Sequence, residues 1–313
     1  MSATSAGSVL RIATRKSSLA LWQAEHVATL LRGAHSGLAV ELVPMTTLGD
    51  RIQDRSLAAI GGKGLFIKEL EVALAERRAD IAVHSMKDMP AEMPRDFVIA
   101  ALLARADPRD ALLCRGGTTI AALPASAKLG TSSLRRRAQI LAVRPDLRIE
   151  PLRGNVDTRL KRLENGELDA IVLACAGLAR LGLESRISAR LDPGTMLPAV
   201  GQGAIGIECR SDDARTRALL SGLDDAATRT VLAAERSFAR ALNGSCQSPI
   251  AALARIDADR LTLDGLVAEP DGSRLLREAI SGTGARAEQL GEELARRLLR
   301  SGARELLERL RTA

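Results

Sequence analysis

Aromatic side chains are nearly missing from this chain: three Phe, one Trp and no Tyr in 313 residues. Leu, Val, Ile and Ala must therefore fill its cores. Single-stranded nucleic acid, whose bases stack on aromatic faces, finds no platform here. Long apolar runs are missing too, and none approaches the ~18 residues that mark a membrane-spanning helix. The N-terminus has no charged stretch leading into an apolar one and does not read as a secretion signal. Cysteine is scarce and dispersed. Cys114, Cys175, Cys209 and Cys246 form no C-x-x-C pair, which argues against a zinc site and fits a reduced cytoplasm. No internal sequence repeat and no low-complexity tract is visible.

What is present is a globular composition, 46% hydrophobic and 27% charged, long enough for two or three domains. The formal charge of +7 is unevenly spread: residues 130–162 hold nine Lys or Arg against three Asp or Glu. Such a patch suits nucleic acid, an anionic membrane or an acidic small molecule. With no stacking aromatics in the segment and no membrane span, a small polyanionic ligand is the expectation, with no nucleic-acid and no membrane partner.

Strand and helix patterns alternate through the first two thirds of the chain. Strands are expected at Val9–Thr14, Leu38–Met45, Asp80–His84, Asp110–Cys114, Lys128–Gly130, Leu147–Leu152, Ala170–Ala174 and Ala204–Cys209. Helices are expected from Ser17 or Ser18 to about Leu31, over Gly64–Arg77 (with Leu65, Leu70, Val72 and Leu74 apolar), and at 133–143, 155–165 and 175–181. Further helices fall near 212–221 and 225–242. This alternation predicts parallel sheets covered on both faces, with ligands beyond the carboxyl ends of the strands. Residues 46–62 read as a mobile loop or lid. Three runs, Ile250–Ile256, Arg260–Ala268 and Leu275–Ser281, joined by short turns, predict an antiparallel sheet under helices spanning about 285–310.

The segment Gly130-Thr131-Ser132-Ser133-Leu134-Arg135-Arg136-Arg137 reads as a strand exit, a hydroxyl cap and a helix opening on three arginines. Cations at a helix N-terminus oppose the macrodipole, so free N–H groups and guanidinium forks there call for an anion, carboxylate or phosphate. Arg153-Gly154-Asn155 with Arg159 repeats the theme, and segments 85–88, 130–137 and 153–159, all at strand ends, can share one cleft. Asp88, in a Lys-Asp-Met-Pro turn, is either a turn residue or an acid–base group facing that basic region. His84 lies within its strand and reads as structural. Cys246, in Asn243-Gly244-Ser245-Cys246-Gln247-Ser248-Pro249, is either an ordinary loop cysteine or a reactive one. Gly201-Gln202-Gly203-Ala204-Ile205-Gly206 matches G-x-G-x-x-G, but a strand follows it where a dinucleotide site needs a helix, so it reads as a crossing between domains. Gly61-Gly62-Lys63-Gly64 fails as a phosphate loop, although Lys63 could clamp a polyanion.

Together these stretches resemble the hydroxymethylbilane synthase (porphobilinogen deaminase) family of tetrapyrrole biosynthesis. The matching segments are Arg11–Arg15 with Ser17, Gly61–Phe66, His84–Asp88, Gly130–Arg136, Leu152–Asn155 with Arg159, Leu197–Gly203 and the cysteine loop at 244–249. The resemblance implies a transferase that joins four porphobilinogen molecules head to tail, losing ammonia at each step. It then releases the linear product by hydrolysis. It implies a dipyrromethane cofactor on a thioether to Cys246, and Asp88 as catalytic acid/base beside the cationic azafulvene left when ammonia departs. It implies cofactor contacts from Ser17, Lys87, Asp88, Thr131, Ser133, Arg135 and Arg136. Substrate contacts are implied for Arg15, Arg153, Arg159, Arg180 and Lys63, pairing the acetate and propionate carboxylates of the pyrroles. No metal is implied.

The implied architecture is α/β: two periplasmic-binding-protein-like α/β domains and a small α+β C-terminal domain with a three-stranded antiparallel sheet. The expected divisions are 1–103 with 204–221, 104–203, and 222–313 carrying the cofactor-cysteine loop, in a cytoplasmic monomer. Ser245 stands where the family commonly has glycine, and Arg137 extends the arginine pair; neither removes a functional group. A non-enzymatic two-lobed anion-binding protein would also use the arginines, but has no use for Cys246 or Asp88.

Overall fold

A computed structural model of the chain describes residues 9–51, 67–115, 119–244 and 248–312. In chain order, β1 (Leu10–Arg15), α1 (Ser18–Ala34), β2 (Val40–Met45), α2 (Leu48–Arg51), α3 (Lys68–Ala75), β3 (Ile81–Ser85) and β4 (Phe97–Leu102) come first. A second run follows with β5 (Asp110–Cys114), β6 (Lys128–Gly130), α4 (Leu134–Val143), β7 (Arg148–Glu150), α5 (Val156–Glu164), β8 (Ala170–Ala174), α6 (Cys175–Arg180) and β9 (Ala189–Arg190). The chain continues through β10 (Ile205–Arg210), α7 (Ala214–Leu220), α8 (Ala226–Ala241), β11 (Ile250–Asp257), β12 (Arg260–Ala268), β13 (Leu275–Thr283), α9 (Ala287–Leu298) and α10 (Arg304–Thr312).

Two compact units result, residues 1–104 with 204–226 and residues 105–203 with 227–313. The first holds a five-stranded sheet in the order β2-β1-β3-β10-β4; the second holds one in the order β7-β6-β8-β5-β9. Each has three parallel strands, then a reversed strand antiparallel to both of its neighbours. The expected all-parallel sheets are thus mixed. The reversed strand in each, β5 or β10, is the first strand after the chain has passed from one unit to the other. It enters the slot beside the third parallel strand from the opposite end. The two sheets repeat one topology, a likeness that no sequence repeat announces. The six-residue β4 and the two-residue β9, which complete these sheets, are not among the strands expected from the sequence.

Both faces of the first sheet are covered, as strands without a polar face require. Leu10, Ile12, Ile81, Val83 and Ile207 pack with Ala24, Val27, Ala28 and Leu31 of α1, whose buried positions recur every three or four residues. On the other face, Ala13 and Ala82 meet Leu70, Ala73 and Leu74 of α3. Val72, expected on the apolar side of α3, is 39% exposed, and Leu65 lies outside the described residues. In the second unit β5, β6 and β8 are sandwiched in the same way.

The expected antiparallel sheet is β11-β12-β13, with Leu290, Leu294 and Leu298 of α9 buried. A left-handed residue, Gly302 at φ 105°, breaks the helical run between α9 and α10. This sheet packs on the second unit's own core through Ala251, Leu253, Leu266 and Ala268 against Ala138 of α4 and Leu197. Among the described residues, no helix is long and apolar enough to cross a membrane.

Candidate functional site

In each unit the polar side chains gather where parallel strands end. In the first unit, β1 ends at Arg15, and Ser17 caps α1, its Oγ accepting the Ala20 N–H at 3.4 Å. Arg15 lies on Asp50, which also accepts from Thr47 N at 3.2 Å and Oγ1 at 2.7 Å. Burial pushes the Asp50 carboxyl up, but the hydrogen bonds and charge of Arg15 and those of Thr47 outweigh it and hold it below its ordinary value.

β3 ends in a single 3-10 turn, Met86–Asp88. It is pinned by the Met86 N–H on the Ala204 carbonyl at 3.0 Å and the Met89 N–H on the Met86 carbonyl at 3.2 Å. Ser85 Oγ accepts from Gln23 Nε2 at 2.8 Å. Lys87 and Asp88 are half-buried. The Asp88 carboxylate has no hydrogen-bond or ion-pair partner among the described residues. A carboxylate held at a strand end yet left unpaired can receive a proton or a cation.

In the second unit the helix start that reads as an anion site does meet an anion, and it is the protein's own. Asp110, the first residue of β5, is 0% exposed. Arg135 Nη1 reaches Asp110 Oδ2 at 2.7 Å, and Arg136 Nη2 and Nε reach Oδ1 at 2.7 and 3.1 Å. Gln202 Nε2 adds a bond to Oδ1 at 2.9 Å. The guanidiniums also donate to the carbonyls of Leu197 and Val172 at 2.7 and 2.9 Å. Burial alone would raise the Asp110 carboxyl, but the charges and hydrogen bonds of Arg135 and Arg136 outweigh it and hold it well below its usual range. Both arginines still carry N–H groups beyond these contacts.

Around this helix start, Ser133 Oγ caps α4 by accepting the Arg136 N–H at 3.4 Å, and Thr131 Oγ1 accepts the Ser133 N–H at 3.2 Å. Ser132 Oγ exchanges hydrogen bonds with the backbone of Leu152, 3.0 and 3.1 Å. That tie sets the end of β6 beside the stretch carrying Arg153. Asn155 caps α5 through Thr158 N at 2.9 Å, and Arg159 Nε donates to the Gly154 carbonyl at 2.9 Å. Arg153 is half-buried and has no hydrogen-bond or ion-pair partner among the described residues. Arg180, in the last turn of α6, donates to the Gly203 carbonyl at 2.7 Å. Burial lowers its guanidinium to about 10, so it stays charged at neutral pH.

The glycine-rich crossing is built for close approach and holds no helix. Gly203 has φ +91°, and a Cβ there would lie 2.5 Å from the Ala106 carbonyl oxygen. Arg105 Nε donates to the Gln202 carbonyl at 2.9 Å, and its fork meets Glu235 of α8 at 2.6 and 3.2 Å. Glu235 also accepts from Gly201 N and Ala254 N.

The structure therefore gathers Arg15, Ser17, Lys87 and Asp88 at strand ends of one unit, and Thr131, Ser133, Arg135, Arg136, Arg153, Arg159 and Arg180 at strand or helix ends of the other. Cys246, Lys63, the G-G-K-G segment and most of the 46–62 loop lie outside the described residues. Sequence reading missed Asp110, Gln202, Glu235 and Glu208. A signal was available for two of them: Asp110 opens an otherwise apolar strand, Asp-Ala-Leu-Leu-Cys, and Glu208 interrupts Ile-Gly-Ile-Glu-Cys. An acid in a strand with no polar face needs a buried partner.

Fold and strand-end chemistry thus define an α/β protein of two compact units, the second carrying an antiparallel sheet, with hydroxyl- and arginine-rich strand ends suited to carboxylates. Residues 10–218 match the family described as "Porphobilinogen deaminase, dipyromethane cofactor binding domain", and residues 229–300 match "Porphobilinogen deaminase, C-terminal domain". The chain belongs to the porphobilinogen deaminase family. Relatives so named include one from Xanthomonas campestris pv. campestris, 56% identical over 96% of this chain and 99% of its own. Another, from Xanthomonas oryzae pv. oryzae, is 56% identical over 95% and 98%. Among solved structures, the periplasmic aliphatic sulphonate binding protein of Escherichia coli aligns over 75% of this chain and 70% of its own, at 15% identity and a TM-score of 0.41.

Proposed function

We propose that this chain condenses four porphobilinogen molecules head to tail on a dipyrromethane primer and releases linear hydroxymethylbilane by hydrolysis. One ammonia is lost at each addition. It is a transferase of tetrapyrrole biosynthesis. The observation that carries the mechanistic reading is Asp88, a half-buried carboxylate at the end of β3 with no partner among the described residues. As the protonated amine leaves porphobilinogen, positive charge spreads onto the pyrrole, and a fixed carboxylate stabilises it where water would have to reorganise. The same oxygen can then take the proton released when the new carbon–carbon bond restores the aromatic ring.

The donor set suits a carboxylate-bearing group: guanidiniums, an ammonium and hydroxyls at strand ends. A bound dipyrromethane supplies the pyrrole carbon from which the chain grows. Cys246 would hold it by a thioether, with Ser17, Lys87, Thr131 and Ser133 as polar contacts. Arg153, Arg159 and Arg180 would pair acetate and propionate side chains in bidentate fashion. Arg135 and Arg136 would act with the N–H groups that Asp110 leaves over. Arg15, whose charge is shared with Asp50, and Lys63 would assist as the product lengthens. A cytoplasmic monomer, divided at 1–103 with 204–221, 104–203 and 222–313, accompanies this reading.

The test is turnover of porphobilinogen, read as ammonia and hydroxymethylbilane. Asp88→Asn should fold normally and lose about 10²–10⁴-fold in kcat, the range a positioned acid–base group supplies. Near-normal turnover would remove Asp88 from the mechanism.

A further inference from the structure

Two ionisable groups in the interior of the first unit have no part in the chemistry above. His84 of β3 and Glu208 of β10 are buried, and His84 Nε2 stands 2.9 Å from Glu208 Oε2. The other carboxylate oxygen, Oε1, is buried with no hydrogen-bond partner among the described residues. Around them α3 closes the sheet face with Leu70, Ala73 and Leu74. Glu71 of α3 is held above its ordinary value by burial first and then by the charge of Glu208. The arginines of the neighbouring strands are engaged elsewhere: Arg11 on Asp80, Arg15 on Asp50, and Arg210 on Asp213 and the Leu74 and Ala79 carbonyls. Among the described residues, the ion-pair partner of Glu208 is His84 alone.

An incompletely satisfied acid inside a sheet costs stability relative to an apolar residue of similar size. Its surroundings give it a use. In the β3–β10 ladder His84 pairs with Gly206 and Ala82 pairs with Glu208, so the His84–Glu208 contact runs diagonally across the two strands. Gly206 leaves the space above it to Met86, the first residue of the Asp88 turn: a Cβ on Gly206 would lie 2.2 Å from the Met86 Sδ. Met86 is buried, and its N–H binds Ala204, two residues before Gly206. One stretch of β10 therefore grips the end of β3 by a side-chain bond at His84, a backbone bond at Met86 and a slot for the Met86 side chain. Asp88 follows two residues later.

We propose that Glu208, acting through His84, and Gly206, acting through Met86, are positioning residues that hold the Asp88 turn in register for the reaction. This rests on the reading of Asp88 as the catalytic acid/base. The arrangement predicts an effect on kcat with little effect on substrate binding, because the carboxylate is displaced and the arginines are not.

The experiment compares Glu208→Leu, Glu208→Gln, Gly206→Ala and Asp88→Asn in the cofactor-loaded protein. Steady-state turnover of porphobilinogen, thermal unfolding and hydrogen exchange at the Met86 amide are measured for each. Glu208→Leu and Gly206→Ala should lower kcat by roughly 10–100-fold, the penalty of misplacing a catalytic group by about an ångström. KM should stay within about twofold, and the Met86 amide should exchange faster. Glu208→Gln keeps an acceptor for His84 Nε2–H and should recover most of the lost kcat. Should Glu208→Leu fail to fold, Gly206→Ala carries the comparison. Normal kcat and normal Met86 protection in folded Gly206→Ala, beside an inactive Asp88→Asn, overturn the inference. So does a lowered unfolding midpoint with kcat intact. An active Asp88→Asn instead removes the catalytic reading beneath it.

Discussion

Arg135 Nη1 lies 2.7 Å from Asp110 Oδ2, with both side chains almost wholly inside the protein. A helix opening on arginines is thereby neutralised from within, by the first residue of β5. A buried pair offsets the desolvation of its charges only when the remaining donors and acceptors are also met. Gln202 and the Leu197 and Val172 carbonyls meet them here. Because Gln202 belongs to the glycine-rich crossing, the same cluster fixes where the chain leaves the second unit.

Removing the acid leaves two guanidiniums buried without a counter-charge. Asp110→Ala should therefore cost about 3–5 kcal/mol, the penalty for breaking one side of a buried pair. Urea unfolding of both proteins measures it, and an unchanged midpoint would show that the arginines find other partners.

The same pair gives stability an acid limb. The Asp110 carboxyl is held below its ordinary value of 3.8 in the folded chain. Its contribution is then fully present above that value and is lost as pH falls through it, by about 1.4 kcal/mol per pH unit at most. The stability difference between wild type and Asp110→Asn should therefore be flat near neutrality and shrink below pH 3.8. A difference that grows on acidification would give the linkage the opposite sign.

Arg153 has no hydrogen-bond or ion-pair partner among the described residues, so its loss should not disturb the fold. Arg153→Ala should leave the unfolding midpoint near that of wild type and raise KM for porphobilinogen by about tenfold, as loss of one charge-assisted contact does. An unaltered KM with a lowered midpoint would make it a structural residue.

Much of this was legible in the sequence because it depends on local pattern. Alternating apolar runs marked eight strands that lie within a residue or two of β1, β2, β3, β5, β6, β7, β8 and β10, and the short turn at Asp257-Ala258-Asp259 marked the β11–β12 hairpin. Ser17, Ser133 and Asn155 cap helices where hydroxyl and amide residues precede apolar periodicity. What stayed hidden is set by distant partners. The direction of β5 and β10 follows from the chain's route between units, and the two-residue β9 carries too little pattern to stand out, whereas β4, Phe97-Val98-Ile99-Ala100-Ala101-Leu102, is a legible apolar run absent from the expected strands. Arg105 meets Glu235 across 130 positions of chain, and Arg135 finds Asp110 on a strand that precedes it. The Gly130–Arg137 segment reads as needing an anion, and Asp110 supplies one. That this anion comes from the protein's own β5 is a fact of tertiary packing.

In the proposed reaction the pyrrole chain grows on Cys246. Intact-protein mass spectrometry tests it most directly. The purified protein should be heavier than its sequence by two linked pyrrole units, and Cys246→Ser should show the bare sequence mass and no turnover. An unmodified wild-type chain that nevertheless converts porphobilinogen to hydroxymethylbilane would contradict it.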